Sequence, residues 1–243
     1  MRPRDLFLSA ALAAIAWTPS LSQANPQSTP RLGIIGGANL ATLTGNFLAN
    51  PSNRTGFTGG LIAVLPVSPS FAIQPELMFT MKGANENLET CQQPADSPGI
   101  CETSAGTRID YIELPVLARF EIPALGRAKP FVYGGPGFAY RTNCTIASVV
   151  GMVNADGTSS QEATSVECDS VASQVRALGG PDVKFSSTDV DGIIGAGLAF
   201  DVGGRTMTVG VRYDVGFVKL NSYGDSKNRA LSFMGTLEWP FHK

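Results

Sequence analysis

The sequence has few of the residues from which most catalytic and metal sites are built. Its 243 residues include one histidine, His242, and four cysteines that show no CxxC spacing. The body of the chain therefore offers no histidine base for a catalytic nucleophile and no set of ligands for a zinc site. We predict no catalytic residue, no bound metal and no cofactor, and hence a protein that is not an enzyme.

Long apolar runs and basic clusters are also scarce. Beyond residue 24, no segment approaches the roughly 20 apolar residues of a membrane-spanning helix. The formal net charge is −2, and without a clustered basic face the chain is not expected to bind nucleic acid. A hydropathy scan would class it as soluble. However, a membrane-spanning β-strand buries only alternate residues in lipid and gives a much weaker signal.

Residues 1–24 have the pattern of a secretory signal peptide. The start is positive, with Arg2 and Arg4. Leu6–Trp17 is apolar but too short to span a bilayer, and Ser22-Gln23-Ala24 offers small residues for cleavage. We therefore predict an exported protein whose mature domain is residues 25–243.

The four cysteines, Cys91, Cys101, Cys144 and Cys168, are expected to form disulfides because the chain is exported. The sequence alone permits three pairings. We favour Cys91–Cys101 and Cys144–Cys168, since each pair then closes a loop within one connecting segment. A local closure of this kind stabilises a fold by roughly 3 kcal/mol in the chain-entropy account.

Alternating apolar and polar residues recur along the mature chain. Within Thr206–Leu220, the apolar residues at odd positions from Met207 to Phe217 alternate with Thr, Gly, Arg and Asp at even positions. Successive side chains of a strand point to opposite faces, so such a stretch has one apolar and one polar face. Eight stretches of alternating or apolar character occur, an even number: Arg31–Thr42, Gly56–Val67, Ser70–Lys82, Arg108–Glu121, Lys129–Arg141, Ser187–Asp201, Thr206–Leu220 and Arg229–Phe241.

The connections between these stretches alternate in length. On one side they are short and rich in the turn-forming residues Pro, Gly and Ser, and on the other side three of four are long and polar. This pattern is typical of an all-β fold, an eight-stranded antiparallel up-and-down transmembrane β-barrel with short periplasmic turns and long extracellular loops. The short connections are Val67–Ser70, Ile122–Ala128 and Val202–Arg205, and the others are Leu43–Thr55, Gly83–Thr107, Thr142–Ser186 and Asn221–Asn228.

The longest connection, Thr142–Ser186, also contains a helical pattern. Val171, Val175 and Leu178 have the spacing of one helix face. We expect one short helix over Asp169–Gly180, capped by Asp169 or Ser170, tethered by Cys168 and ended by Gly179-Gly180-Pro181.

One face of the predicted sheet collects single charges among small residues. Exposed strand faces of soluble proteins usually carry many Lys, Glu and Thr, whereas this face is rich in Gly and Ala, which suit a crowded interior. We therefore assign its charges to a paired network inside the barrel. The alternative is a soluble lipocalin-like barrel with the apolar face inside, holding an apolar ligand. The interior charges are Glu76, Glu113, Arg119, Arg212, Asp214 and Glu238.

Aromatic residues near the predicted strand ends are expected to form girdles at the two lipid–water interfaces. Such girdles favour a barrel wall in contact with lipid. The residues are Phe57, Tyr111, Phe120, Tyr133, Tyr140, Phe217, Trp239 and Phe241.

Motifs in matching order and spacing relate the chain to one family. Gly33–Asn39, Phe71–Gly83, Tyr111–Pro115, Lys129–Gly137 and Arg212–Asp214 resemble strands of the PorT-like outer-membrane β-barrel family, loosely called porins. The resemblance spans nearly all of Arg31–Phe241. It implies a barrel in the outer membrane of a Gram-negative bacterium, in contact with lipid and lipopolysaccharide, but does not establish transport.

The last predicted strand is similar to the aromatic-ended strand that the barrel-assembly machinery recognises in this family. Its terminal segment is Leu237–Phe241. The resemblance thus implies that machinery as a partner. In many family members the aromatic residue is the last one, whereas here His242 and Lys243 follow Phe241.

Three functions are open to such a barrel. A narrow porin-like channel for small solutes is the alternative to our prediction. We do not favour an open channel, because the interior of an eight-stranded barrel is just wide enough for side chains to fill it. A carboxylate pair could do acid–base work, but charged barrel interiors are more often structural. We predict a structural or surface-interaction barrel whose disulfide-stapled extracellular loops meet a surface or envelope partner protein.

Overall fold

The fold is given by a computed structural model that describes residues 29–45, 51–92, 99–123, 128–153, 158–222 and 224–241. The signal peptide falls outside this range, so it stays a prediction. Within the described residues there are nine strands and one helix. They are β1 Arg31–Thr44, β2 Pro51–Ser68, β3 Phe71–Gln92, β4 Gly99–Glu121, β5 Ala128–Val153, β6 Ser159–Glu167, α1 Cys168–Ala177, β7 Thr188–Val202, β8 Arg205–Gly216 and β9 Lys227–Pro240.

Eight of the strands close into one antiparallel barrel. The pairing runs β1, β2, β3, β4, β5, β7, β8, β9 and returns to β1. β1 and β9 complete the closure over their whole lengths, from Arg31 opposite Pro240 to Thr44 opposite Lys227. Because each barrel strand pairs with its neighbour along the chain, apart from the omission of β6, the topology is up-and-down. The predicted fold class is confirmed.

The barrel wall is apolar outside and polar inside. On β3, Ile73, Leu77 and Phe79 expose 41%, 45% and 37% of their surface, whereas Gln74 and Glu76 expose 2% and 5%. The same alternation continues on β4, β8 and β9. A closed barrel with an outer apolar band suits lipid, as in membrane-spanning barrels. The lipocalin-like alternative, with the apolar face inside, does not fit this wall.

One end of the barrel carries the short turns. Between β7 and β8, Val202 pairs with Arg205, and the two residues between them, Gly203 and Gly204, have φ angles of +56° and +77°. A two-residue turn with both central residues left-handed matches the twist of the flanking strands, and glycine adopts it without strain. We call this the short-turn end and the opposite one the long-loop end.

At the long-loop end, β3, β4 and β5 continue much further than predicted. They have 22, 23 and 26 residues, whereas about 9–11 residues span a membrane. The predicted loops Gly83–Thr107 and Thr142–Ser186 are therefore wrong in large part, since residues 84–92, 99–107 and 142–153 pair as sheet. β6 adds a further strand beside β5. Outside lipid neither face of a strand has to be apolar, so the alternation that marks strands fades there.

The helix α1 lies within the longest predicted loop, close to the expected position. Its N-cap residue is Glu167, without a side-chain cap hydrogen bond, so the predicted capping by Asp169 or Ser170 is wrong. Leu178 is 89% exposed, beyond the end of the helix. Among the residues that the structure describes, no helix has the length and apolar character needed to cross a membrane.

Candidate functional site

The interior of the barrel holds all six residues predicted for the charge network. None exposes more than 5% of its surface, because each occupies an inward-facing position of its strand. Lys82 and Asp191, which were not included in the predicted network, are buried beside them at 1% and 2% exposure. Lys82 follows Glu76 by an even number of residues on β3, so strand parity alone places it inside.

Near the short-turn end, two arginines and two glutamates form one ion-pair cluster. Arg31 lies 2.9 Å from Glu121 and 2.8 Å from Glu238. Arg119 lies 3.3 Å and 3.4 Å from the same two carboxylates, and its guanidinium carbon is 3.9 Å from the centroid of the Phe131 ring. The cluster joins β1 and β9 to β4 across the lumen, so it braces the wall from both sides.

Arg212 and Glu76 form the central pair. The Nη2 atom of Arg212 donates to both carboxylate oxygens of Glu76, at 2.7 Å and 2.6 Å. Glu76 also accepts a hydrogen bond from Gln74 at 2.6 Å, and the Arg212 guanidinium lies 5.4 Å from the centroid of the Tyr133 ring. A charge-assisted pair buried this deeply depends on both partners, since either one alone would be an uncompensated charge.

Lys82 is the centre of a third cluster. Its Nζ atom lies 2.7 Å from Glu113 and 3.0 Å from Asp191, and Thr80 donates to Glu113 at 3.0 Å. Asp214 forms no ion pair within the described chain, but the positive charges of Lys82 and Arg212 both act on it. The predicted residues are thus distributed along the lumen, and Gln74 links the first two clusters, because it accepts from Arg119 at 3.2 Å and donates to Glu76 at 2.6 Å.

Little space remains between these side chains. A cavity of about 20 Å³, lined among others by Gln74, Arg119 and Tyr133, has room for about one water molecule. At Gly195 the Tyr133 ring occupies the place of a Cβ atom. An interior packed this closely braces the wall and obstructs solutes.

An apolar cap closes the lumen at the long-loop end. Leu43, Ile109 and Leu220 are buried to 2%, 0% and 2% exposure and pack with the disulfide Cys144–Cys168. Leu220 was predicted on a strand, but β8 ends at Gly216 and the chain then folds over the barrel mouth. There the Leu220 carbonyl accepts from the Ser186 amide at 2.8 Å, which holds two loops together.

Two residues predicted for the aromatic girdles point into the barrel instead. Tyr111 is 2% exposed and its hydroxyl accepts a hydrogen bond from Asn228 at 3.1 Å, and Tyr133 is 9% exposed. Tyr111 is inward because it shares strand parity with Glu113. The other six lie outside, exposed by 36–61%: Phe57, Phe120, Tyr140, Phe217, Trp239 and Phe241.

One of the two predicted disulfides lies among the described residues. Cys144 and Cys168 are bonded as predicted, and the bond ties β5 to the first residue of α1. It therefore anchors the apolar cap rather than a loop tip. Cys91 and Cys101 are opposite each other on β3 and β4, but their side chains lie outside the described part, so their disulfide stays a prediction.

At the long-loop end, residues 84–92, 99–107, 142–153 and 159–167 form an extension of the sheet beyond the predicted strands. The extension ends at β6, whose outer edge pairs with no strand in the described chain. Nine consecutive pairs join β6 to β5 without a register shift, from Thr145 opposite Glu167 to Val153 opposite Ser159. Residues 162–165 are exposed. β6 contains no Pro or Lys and no bulge, which commonly protect sheet edges. As far as the described residues go, the backbone groups along this edge are therefore open to pairing with a further strand.

The charge of this extension is one-sided. Residues 83–107 and 142–167 contain no Lys or Arg, and β6 carries the exposed acids Glu162 and Glu167. Around α1, Arg141 pairs with Asp169 and Arg176 with Asp182. There the hydrogen bond from Arg176 lowers the pKa of Asp182 below its ordinary value of 3.8.

Potential metal ligands are sparse in the described chain, where no group of three such side chains comes together. Asp189 and Asp191 are already engaged, since Asp189 accepts from Asn228 at 3.0 Å and Asp191 pairs with Lys82. His242 is not among the described residues. The absence of a metal, a cofactor and an activity stays a prediction.

Known proteins resemble the chain at the level of family and fold. Residues 22–222 match the family model described as outer membrane protein beta-barrel domain. No curated protein sequence matches the chain. Among solved structures, Neisserial surface protein A (NspA) is similar with 10% identity, 86% of this chain and 97% of that chain covered, and a TM-score of 0.41. Ail, the attachment invasion locus protein of Yersinia pestis, has 10% identity, 87% and 99% coverage, and a TM-score of 0.39. The outer membrane enzyme PagL has 14% identity, 87% and 99% coverage, and a TM-score of 0.33.

Proposed function

The chain belongs to the outer membrane protein beta-barrel domain family, and we propose that within the outer membrane it is a non-enzymatic barrel that binds a partner protein at the cell surface. The family and the closed eight-stranded wall give the location. Outer-membrane barrels have short turns in the periplasm and longer loops outside the cell, so the short-turn end is periplasmic and the extension of the sheet is extracellular. We further propose that the chain is a PorT-like barrel, on the basis of its sequence motifs alone.

The observation that carries the proposal is the sheet that the wall forms beyond the membrane. On β3 it includes residues 84–92, and at about 3.3 Å per residue such a strand rises about 30 Å. The cap and the Cys144–Cys168 disulfide fix its base. Binding sites commonly lie on elements that a rigid scaffold holds in solvent, and this sheet is such an element.

The free edge of β6 indicates how a partner would bind. An extended segment of another protein can add to an open sheet edge through main-chain hydrogen bonds, while alternate side chains give specificity. Because β6 carries Glu162 and Glu167 and residues 83–107 and 142–167 contain no Lys or Arg, a segment with basic residues is favoured by charge. The proposed partner is therefore a surface or envelope protein with an extended basic segment.

The packed lumen supports a binding role over conduction. The cavity beside Gln74, Arg119 and Tyr133 holds about one water molecule, and the apolar cap lies across the extracellular mouth. A narrow channel for small solutes has no comparable support. Catalysis also lacks a histidine in the described chain to act as a base.

Binding of two labelled nine-residue peptides to the full chain in lipid nanodiscs tests the proposal. One peptide alternates Lys and Val and the other Glu and Val. Fluorescence anisotropy should show saturable binding of the Lys peptide, weakened several-fold by Glu162→Lys/Glu167→Lys. Asp201→Lys, which reverses an exposed acid at the periplasmic end, is the matched control and should leave binding unchanged.

A second variant separates strand addition from general charge attraction. Thr164→Pro keeps every charge of β6 but places a proline on its edge, where it interrupts main-chain pairing. It should weaken binding of the Lys peptide as well. Equal binding of both peptides, or full binding to the charge-reversed and proline variants, would contradict the proposed role of β6.

A further inference from the structure

A cleft lies beside α1 at the extracellular end of the barrel. One wall is a single face of the helix, formed by Asp169, Ala172, Ser173 and Arg176, whose spacing of three or four residues places them on one side. The other wall is residues 183–185. The cleft has a volume of about 330 Å³, and ligand sites of proteins commonly have volumes of about 300 Å³ or more. We call it the α1 cleft, and it has room for a small organic molecule.

Both walls of the α1 cleft are held in place by the rest of the fold. The helix is tied at its first residue by the Cys144–Cys168 disulfide. In the other wall, the Lys184 amide donates to the Ser222 hydroxyl and the Lys184 carbonyl accepts from the Ser222 amide, both at 3.0 Å. Because these contacts fix the shape of the cleft in advance, a ligand has to order little of the protein when it binds.

Part of the cleft lining is apolar. Ala172, Val183 and Phe185 line it and are each half-buried. Phe185 also packs against the apolar cap and pairs with Asn221, so its position is fixed by the barrel mouth. Apolar surface that includes an aromatic ring favours a ligand whose own apolar or aromatic part can cover it.

The charges at the two ends of the α1 cleft are not equally balanced. At the start of the helix, Asp169 is matched by Arg141 at 3.2 Å. Seven residues later, about 10 Å along the helix axis, Arg176 and Lys184 share a single acid among the described residues, Asp182. The Nζ atom of Lys184 lies 3.6 Å from that carboxylate, which is longer than a usual hydrogen bond. This end therefore has one more cation than acid, and Lys184 has donors for a further anion.

We propose that the α1 cleft binds a small organic anion with an apolar body, of the class of aromatic carboxylates. In this arrangement the carboxylate accepts charge-assisted hydrogen bonds from Arg176 and Lys184, and the apolar body covers Val183 and Phe185. An organic cation is disfavoured by the excess positive charge, and an anion without an apolar body leaves the apolar lining uncovered. The cleft shares no residue with β6, so this inference does not depend on partner binding there.

Methyl NMR of the full chain in lipid nanodiscs, titrated with naphthylacetate, tests the proposal. The methyl signals of Ala172 and Val183, which line the cleft, should shift in a saturable manner. The methyl signals of Val202, at the short-turn end, should not, and they report any partition of the probe into lipid. Naphthylethylamine, with a cation on the same ring, and acetate, without the ring, should give no saturable shift at the same concentrations.

Two variants separate the charge of the cleft from its shape. Arg176→Gln/Lys184→Gln should raise the half-saturating concentration of naphthylacetate about fivefold or more, since an exposed ion pair contributes up to about fivefold. Ala172→Leu changes no charge but fills the cleft, and it should abolish the shift of Val183. Lys129→Gln/Arg205→Gln removes two cations from the short-turn end and is the matched control, which should bind as the unaltered chain does.

Heat-modifiable migration on a mild detergent gel checks that each variant is folded. If the double Gln variant alters the wall of the cleft, Lys184→Gln alone keeps the Arg176–Asp182 pair and should still weaken binding about twofold or more. Equal shifts with naphthylacetate and either naphthylethylamine or acetate would overturn the proposal. So would unchanged binding to the double Gln variant or to Ala172→Leu.

Discussion

Replacing Arg212 by Met removes the cation at the centre of the lumen but keeps an unbranched side chain there. Arg212 is 3% exposed, and its two hydrogen bonds to Glu76 measure 2.7 Å and 2.6 Å. After the substitution Glu76 still accepts from Gln74 but has lost its counter-charge. Removing one partner of a buried ion pair typically costs about 3–5 kcal/mol. We expect the free energy of unfolding to fall by about that amount.

Urea titration of the chain refolded into lipid vesicles, followed by the fluorescence of Trp239, measures this loss. Glu76→Met/Arg212→Met removes both charges and should recover most of the stability, because no uncompensated charge is left. Lys129→Met is the matched control, since the Lys129–Asp201 pair is 33% and 62% exposed. Its loss should stay below about 1 kcal/mol. A loss for Arg212→Met no larger than this control, or no recovery in the double variant, would refute the reasoning.

Three further perturbations test other parts of the molecule. Removing the Cys144–Cys168 disulfide by two Cys→Ser substitutions should lower the free energy of unfolding by about 3 kcal/mol, given its separation of 24 residues; an unchanged urea midpoint would contradict this. Gly195→Ala should cost about 1–3 kcal/mol because the new Cβ overlaps the Tyr133 ring, and Tyr133→Ala should relieve it; simple additivity would speak against the clash. The Asp182 carboxyl should titrate below 3.8 by NMR because a hydrogen bond from Arg176 lowers its pKa, so this contact is complete above pH 3.8 and is lost as the pH falls through the lowered value. Arg176→Gln should raise the midpoint towards its ordinary value, and identical midpoints in both chains would exclude the cause given.

The membrane-spanning wall could be predicted because lipid imposes a strict pattern on it. Each strand there must be apolar on one face, and this made all eight barrel strands visible in the sequence. The same parity placed Glu76, Glu113 and Glu238 inside, where the structure has them. Lys82 and Asp191 follow the same parity and could have been included.

The features that were not predicted lie where lipid no longer imposes this pattern. The upper parts of β3, β4 and β5, and all of β6, read as polar loops because both faces of a strand are free to be polar in water. The apolar cap depends on Leu220 leaving its strand, which alternation alone does not reveal. Which residues pair across the lumen, as Arg212 and Glu76 do, depends on the tilt and stagger of the strands. Strand parity does not determine these.

Single-channel recording across a planar lipid bilayer tests the central claim, a closed barrel whose lumen is filled by its own side chains. The purified, refolded chain should give no steady conductance steps, because the space around Gln74, Arg119 and Tyr133 holds about one water molecule and the cap covers the extracellular mouth. Steady ohmic steps that grow with salt concentration would contradict the filled lumen and would favour the narrow channel.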